Sequence, residues 1–157
     1  MSSKPTSEVL RQALLLILLF GIIGTQLELL LLTHTDGVWQ LAPLLLNGIA
    51  LGVLAWYGAA KSAASVRSLQ GVMALHFVSG TIGLGQHFYG NLGYARDSNP
   101  SLSGIDLYAE ALRGSTPTLA PGTMILLALV GFAFAFRHPR LRGAVREDEL
   151  PFHRNAP

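Results

Sequence analysis

Glu28, His76 and His87 are ionisable side chains set inside long apolar stretches of the sequence. An ionisable group in such surroundings is costly and needs a partner. A carboxylate with an imidazole is also a donor pair suited to zinc, iron or manganese. Glu28 and His87 are therefore candidate partners or metal co-ligands, with Glu110, His34 or Asp106 as a possible third donor. The sequence has no His-Glu-x-x-His and no Glu-x-x-His, the spacings that place two ligands on one helix face. Two readings stand open. Either Glu28 and His87 satisfy each other and fix helix register, or they open onto a bound ligand.

Haem is the other cofactor to weigh. His76 and His87 lie about 16 Å apart along one helix, so they cannot share an iron. His34 is the sole histidine at a depth matching His87. Cysteine is absent, which removes thiolate sites and thiol catalysis. No phosphate-binding glycine loop, dinucleotide fingerprint or Gly-x-Ser-x-Gly elbow occurs. GTIGLG at 80–85 lies inside an apolar segment, where glycines serve helix packing. A net charge of +2 is too small to point to nucleic acid.

The elements that must carry these residues are helices in a bilayer. Half of the 157 residues are apolar and 13% are charged, against about 25% charged in a soluble domain. Four segments approach the roughly 20 apolar residues that a membrane helix needs. They cover about 9–33, 38–60, 66–90 and 119–136, and the third is the most polar. The first is too long for a signal peptide and has no small-residue cleavage site after it. Nine of the eleven Lys and Arg residues fall at the N-terminus, between spans two and three, and after span four. Arg96 and Arg113 alone fall on the other side. The positive-inside rule then places both termini in the cytoplasm.

At 100° per residue each of three spans shows one small-and-polar face. In the first this is Gly21, Gly24, Thr25 and Glu28. In the second it is Gln40, Pro43, Asn47 and Leu51, and in the third His76, Gly80, Gly83 and His87. Depth along the helices brings Glu28, Gln40 and His87 near one outer level, with Tyr89, Asn91 and Glu110 at or above it. His76 lies near mid-membrane, with Asn47 its nearest candidate. The outer connection, 91–118, is long for a turn. Ser103 and Asp106 resemble a capping box ahead of Ile105, Tyr108, Ala109 and Leu112 at helical spacing, which predicts a short amphipathic helix at 104–113.

HFYGN (87–91), NPSLSG (99–104), AEALRGSTPTLAPGTM (109–124) and FRHPRLRG (136–143) resemble a group of small bacterial four-span membrane proteins. The likeness covers roughly residues 25–143. It implies fold and membrane location, and no activity.

The sequence therefore predicts an all-α membrane protein, a four-transmembrane-helix bundle over 1–143 with a polar cytoplasmic tail over 144–157. It would sit in a bacterial inner membrane, with lipid and a larger complex or a second copy as partners. Its outer end would carry a polar site built from Glu28, Gln40, His87, Asn91 and Glu110, with Asn47 and His76 deeper in the seam. The leading function is a non-catalytic accessory subunit or ligand-binding module. The alternative is a metal- or haem-dependent redox protein using His87, His76 and Glu28.

Overall fold

A computed structural model describes residues 5–141. Among these, all regular structure is helical: α1 (Thr6–Leu31), α2 (Val38–Ala60), α3 (Ala63–Ser98), α4 (Gly104–Arg113) and α5 (Gly122–Ala135). The tail predicted over 144–157 lies outside the described residues. α1 and α2 are each long and apolar enough to cross a membrane. α5 is apolar but has 14 residues. α3 is diluted by Ser65, Ser68, Gln70, His76, Ser79, Thr81, Gln86 and His87.

Local chemistry sets the ends. Pro5, with no N–H to lose, precedes α1. Thr33 and Gly37 take positive φ in the turn to α2. Lys61 closes α2 in the left-handed conformation, and the Ser62 hydroxyl then caps α3 by accepting from Ser65 N at 3.1 Å. Pro43, inside α2, has no N–H for the Trp39 carbonyl.

The third element differs most from expectation. Predicted to stop near residue 90, α3 runs on to Ser98, about 54 Å in all. Gly90 and Gly93 each disfavour helix by about 1 kcal/mol. Burial of Leu92 and Ala95 against Leu107 and Ala111 of α4 outweighs them. α4 occupies the predicted residues, but Ser103 makes no capping hydrogen bond. Its buried residues are Leu107 and Ala111, one turn apart, while Ile105, Tyr108 and Leu112 face outward.

α1, α2, α3 and α5 form a ring in which each packs on the next and α5 returns to α1, while α4 packs on α3. Arg11 near the start of α1 donates from Nε to Phe134 O (3.3 Å) and from Nη2 to Phe136 O (3.4 Å). Its cation thus meets the negative end of the α5 dipole and holds the first and last helices together at one end. That inner half of the ring is solid. Leu18, Ile22, Ala50, Leu54, Leu69, Met73, Leu127 and Phe134 fill it.

Candidate functional site

The outer half of the same ring is hollow. A cavity of about 1260 Å³ is lined by α1, α2, α3, the 116–124 segment and the α1–α2 turn. Its floor falls where the packed residues begin. Leu46, Leu75, Val78 and Met124 line it, while Asn47, His76 and Leu127, next to or one turn inward of them, are buried. Two irregular stretches of backbone border it. Pro43 interrupts the hydrogen bonding of α2, and the chain before α5 advances by i→i+3 turns: Ala120 N to Pro117 O, Thr123 N to Ala120 O and Met124 N to Pro121 O.

Small residues let α5 reach α3 below this point. A side-chain carbon on Gly80 would lie 2.8 Å from Ile125 and 2.9 Å from Pro121 O, and one on Gly83 would lie 2.8 Å from Pro121. Of the His76, Gly80, Gly83 and His87 face of α3, the two glycines receive α5 and His87 the segment before it, while His76 turns to Asn47 of α2. Gly85 and Gly24 meet open space and have no such role.

The polar groups of the cavity gather at its mouth. Glu28, His34, Asp36, Gln40, Gln86 and His87 all line it. His87 donates from Nδ1 to Pro117 O at 2.8 Å. That bond requires the proton on Nδ1. Gln40 Oε1 accepts from Asp36 N at 3.0 Å, tying the turn to the start of α2. His34, in the turn, has its pKa lowered by burial and then by His87 nearby, so it favours the neutral form. Glu28 and His87 share the cavity, as expected from depth. No hydrogen bond or ion pair joins them to each other, because His87 Nδ1 is turned to the segment before α5.

The deeper pair is joined directly. His76 donates from Nδ1 to Val72 O at 3.0 Å, and its Nε2 lies 3.1 Å from Asn47 Oδ1. Both side chains are fully buried, and Asn47 Nδ2 has no partner. A neutral ring that donates from Nδ1 can only accept at Nε2. A half-turn of the Asn47 carboxamide brings its NH₂ to the ring and closes that bond. With both nitrogens engaged, His76 presents no free lone pair to a haem iron.

Three expected members of the outer site lie elsewhere. Asn91 is buried under the loop and never reaches the cavity. Its Nδ2 serves Ala111 O (3.0 Å), Thr116 O (2.7 Å) and Thr118 Oγ1 (3.0 Å), and its Oδ1 accepts from Thr116 N (3.2 Å). It is a staple between α3, the end of α4 and the strand of chain leading to α5. Tyr89 points outward, 70% exposed. Glu110 lines a separate cavity of about 380 Å³ beside Tyr94, Asn99 and Arg113. For Asn91 and Glu110 the reason is the extra turns of α3, which carry the chain away from the mouth; Tyr89 lies within the expected span on an outward face. Among the described residues no three His, Asp or Glu side chains come close enough to hold a metal ion.

A second polar cluster, at the inner end, was not foreseen. His138 is buried between Tyr57 and Phe134, at ring-centroid distances of 5.7 and 5.3 Å. Its Nε2 lies 3.2 Å from Tyr57 Oη, and its Nδ1 accepts from Arg140 N at 3.3 Å. Burial lowers its pKa, and Arg11 and Arg140 lower it further. Tyr57 near the end of α2 and the residues just after α5 fall at one level along the helices, the signal that pairs them. Comparison with protein-family models, curated proteins and solved structures gave no match.

Proposed function

We propose that this chain is a four-span integral protein of a bacterial inner membrane, with both termini cytoplasmic, and that it is a non-catalytic module holding a small ligand in its outer cavity. The observation that carries this reading is the unequal filling of the ring. An interior packed at one end and open over about 1260 Å³ at the other exceeds the roughly 300–1,000 Å³ of ordinary ligand pockets.

The membrane part rests on the surface. Only 11% of the most apolar window of α1 and 22% of that of α2 is buried, whereas the core helix of a soluble protein hides such residues. Phe20 is 81% exposed and Leu31 85%. Among the described residues Arg11, Lys61, Arg67, Arg137 and Arg140 belong to the end where Arg11 meets α5, and Arg96 and Arg113 to the other, in keeping with the positive-inside rule. The likeness to small bacterial four-span proteins fits the same reading.

The chain has no cysteine, so single cysteines report topology cleanly. Thr35→Cys and Ile105→Cys should react with a membrane-impermeant maleimide in intact cells, and Lys61→Cys only after the membrane is opened. Labelling of Lys61→Cys in intact cells would overturn the orientation. Native mass spectrometry of protein extracted gently from its own membrane tests the module. A retained small mass supports it. Co-purifying proteins with no small mass would replace it with an accessory subunit of a larger complex.

A further inference from the structure

The charges at the mouth name the kind of ligand, on the reading that the cavity is a binding site. Glu28 comes from α1 and Asp36 from the turn after it. Neither lysine nor arginine is among the residues lining the cavity. No hydrogen bond or ion pair ties either carboxylate side chain to another described residue. Of the two histidines there, His34 has its pKa lowered by burial and then by His87 nearby, and the Nδ1 of His87 is spent on Pro117 O. The mouth therefore offers carboxylates and the Gln86 amide oxygen, a set that suits a cation with N–H donors.

Below the mouth the chemistry changes. Pro43, Leu46, Leu75, Val78, Ile82 and Met124 make the lower wall. From His87 down to the level of His76 is about 16 Å, room for an extended chain of about a dozen carbons. A polar, acidic opening over a deep apolar well complements a molecule with the same division.

We propose that the cavity binds an ammonium-bearing amphiphile, with the amine between Glu28 and Asp36 and the alkyl chain in the well of leucine, valine and methionine. The ammonium displaces no internal ion pair, since neither carboxylate has one. The alkyl chain fills space that the four helices leave empty. An anionic amphiphile would bring like charge to both carboxylates and lose on each. A neutral one would gain the well and nothing at the mouth. The same chemistry has two natural sources, the headgroup of an aminophospholipid and a free long-chain amine.

The test is a native mass spectrometric titration of the full chain in a nonionic detergent with dodecylamine, dodecanol and dodecyl sulfate. One dodecylamine should bind per chain, about tenfold or more tighter than dodecanol, and dodecyl sulfate should bind weakest. The Glu28→Gln, Asp36→Asn double variant should bring dodecylamine down to the level of dodecanol and leave dodecanol itself unchanged. Its melting temperature checks that it folds. Equal binding of dodecylamine and dodecanol to the wild type, or tighter dodecyl sulfate, would overturn the ammonium assignment while leaving the cavity as a ligand site. If none of the three adds to the chain, the ligand-site reading itself falls. In protein taken from its own membrane, an aminophospholipid mass lost in the double variant assigns the lipid source, and a lighter amine lost in that variant assigns the free one.

Discussion

His76 Nε2 and Asn47 Oδ1 lie 3.1 Å apart at the boundary between the packed and hollow halves of the ring. They join α3 to α2 where no water reaches either side chain. The buried hydrogen bond that the Asn47 NH₂, turned to the ring, donates to Nε2 is asymmetric in its energetics. Removing one partner strands the other at a cost of about 1–3 kcal/mol, whereas replacing both by apolar groups of similar size is nearly neutral. Asn47→Leu and His76→Leu should each lower the melting temperature in detergent, and the double variant should recover much of the loss. Additive losses in the double variant would show that the pair is not coupled.

Asn91 and Gly114 make the outer loop one body with α3. A side chain at 114 would collide with the Asn91 carboxamide. Asn91→Ala removes up to four hydrogen bonds to the loop, and Ala111 O keeps only Gly114 N and Thr118 Oγ1. Both Asn91→Ala and Gly114→Ala should free the α4 region, read as faster amide exchange over 104–118 with exchange in α1 and α2 unchanged. The ligand titration should be less affected than by changes at Glu28, because Asn91 lies outside the cavity. Unchanged exchange over 104–118 in Asn91→Ala would refute the staple.

The sequence-level periodicities transferred well where the pattern was local. The helix at 104–113, the shared polar face of α3, and the meeting of His76 with Asn47 all follow from 3.6-residue geometry and rise per residue. What did not follow was anything decided by tertiary burial. Glycine at 90 and 93 reads as a helix end, and the α4 contact at Leu92 and Ala95 overrides it. That extension moved Asn91 and Glu110 out of the mouth. Which face of α4 packs on α3 was illegible for the same reason. Ile105, Tyr108 and Leu112 make the longer apolar stripe, yet Leu107 and Ala111 meet α3. The His138 cluster joins residues from α1, α2 and the end of α5, a pairing that no window of sequence contains.

His138 should make stability fall on mild acidification. Its pKa is depressed in the folded chain by burial and by the Arg11 and Arg140 cations, with Tyr57 and Phe134 packed around the ring. A base whose folded pKa lies below its ordinary 6.5 binds a proton more readily when unfolded. Its neutral-state stability is therefore complete above that value and is lost as pH drops toward the folded pKa. Protonation at Nδ1 also breaks the bond from Arg140 N. His34 titrates with the same sign. The melting temperature should fall between about pH 7.5 and about pH 5.5. His138→Gln should shrink that fall, and His138→Gln with His34→Gln should shrink it further. An identical pH dependence in His138→Gln would remove this residue from the account.

Ser79 offers a way to close the cavity without touching its charges. It is half-buried on α3, lines the well, and makes no hydrogen bond with another described residue. Serine and phenylalanine have similar helix propensities, so Ser79→Phe leaves α3 intact and puts a ring where the ligand chain would lie. Filling an apolar void gains dispersion contacts that the hollow ring lacks. The variant should melt at or above the wild-type temperature and bind dodecylamine at least about tenfold more weakly, with Glu28 and Asp36 still present. Dodecanol should weaken in parallel, since both depend on the well. If Ser79→Phe folds normally and keeps wild-type affinity for dodecylamine, the amine is held at the surface by charge alone, and the alkyl chain does not enter the cavity.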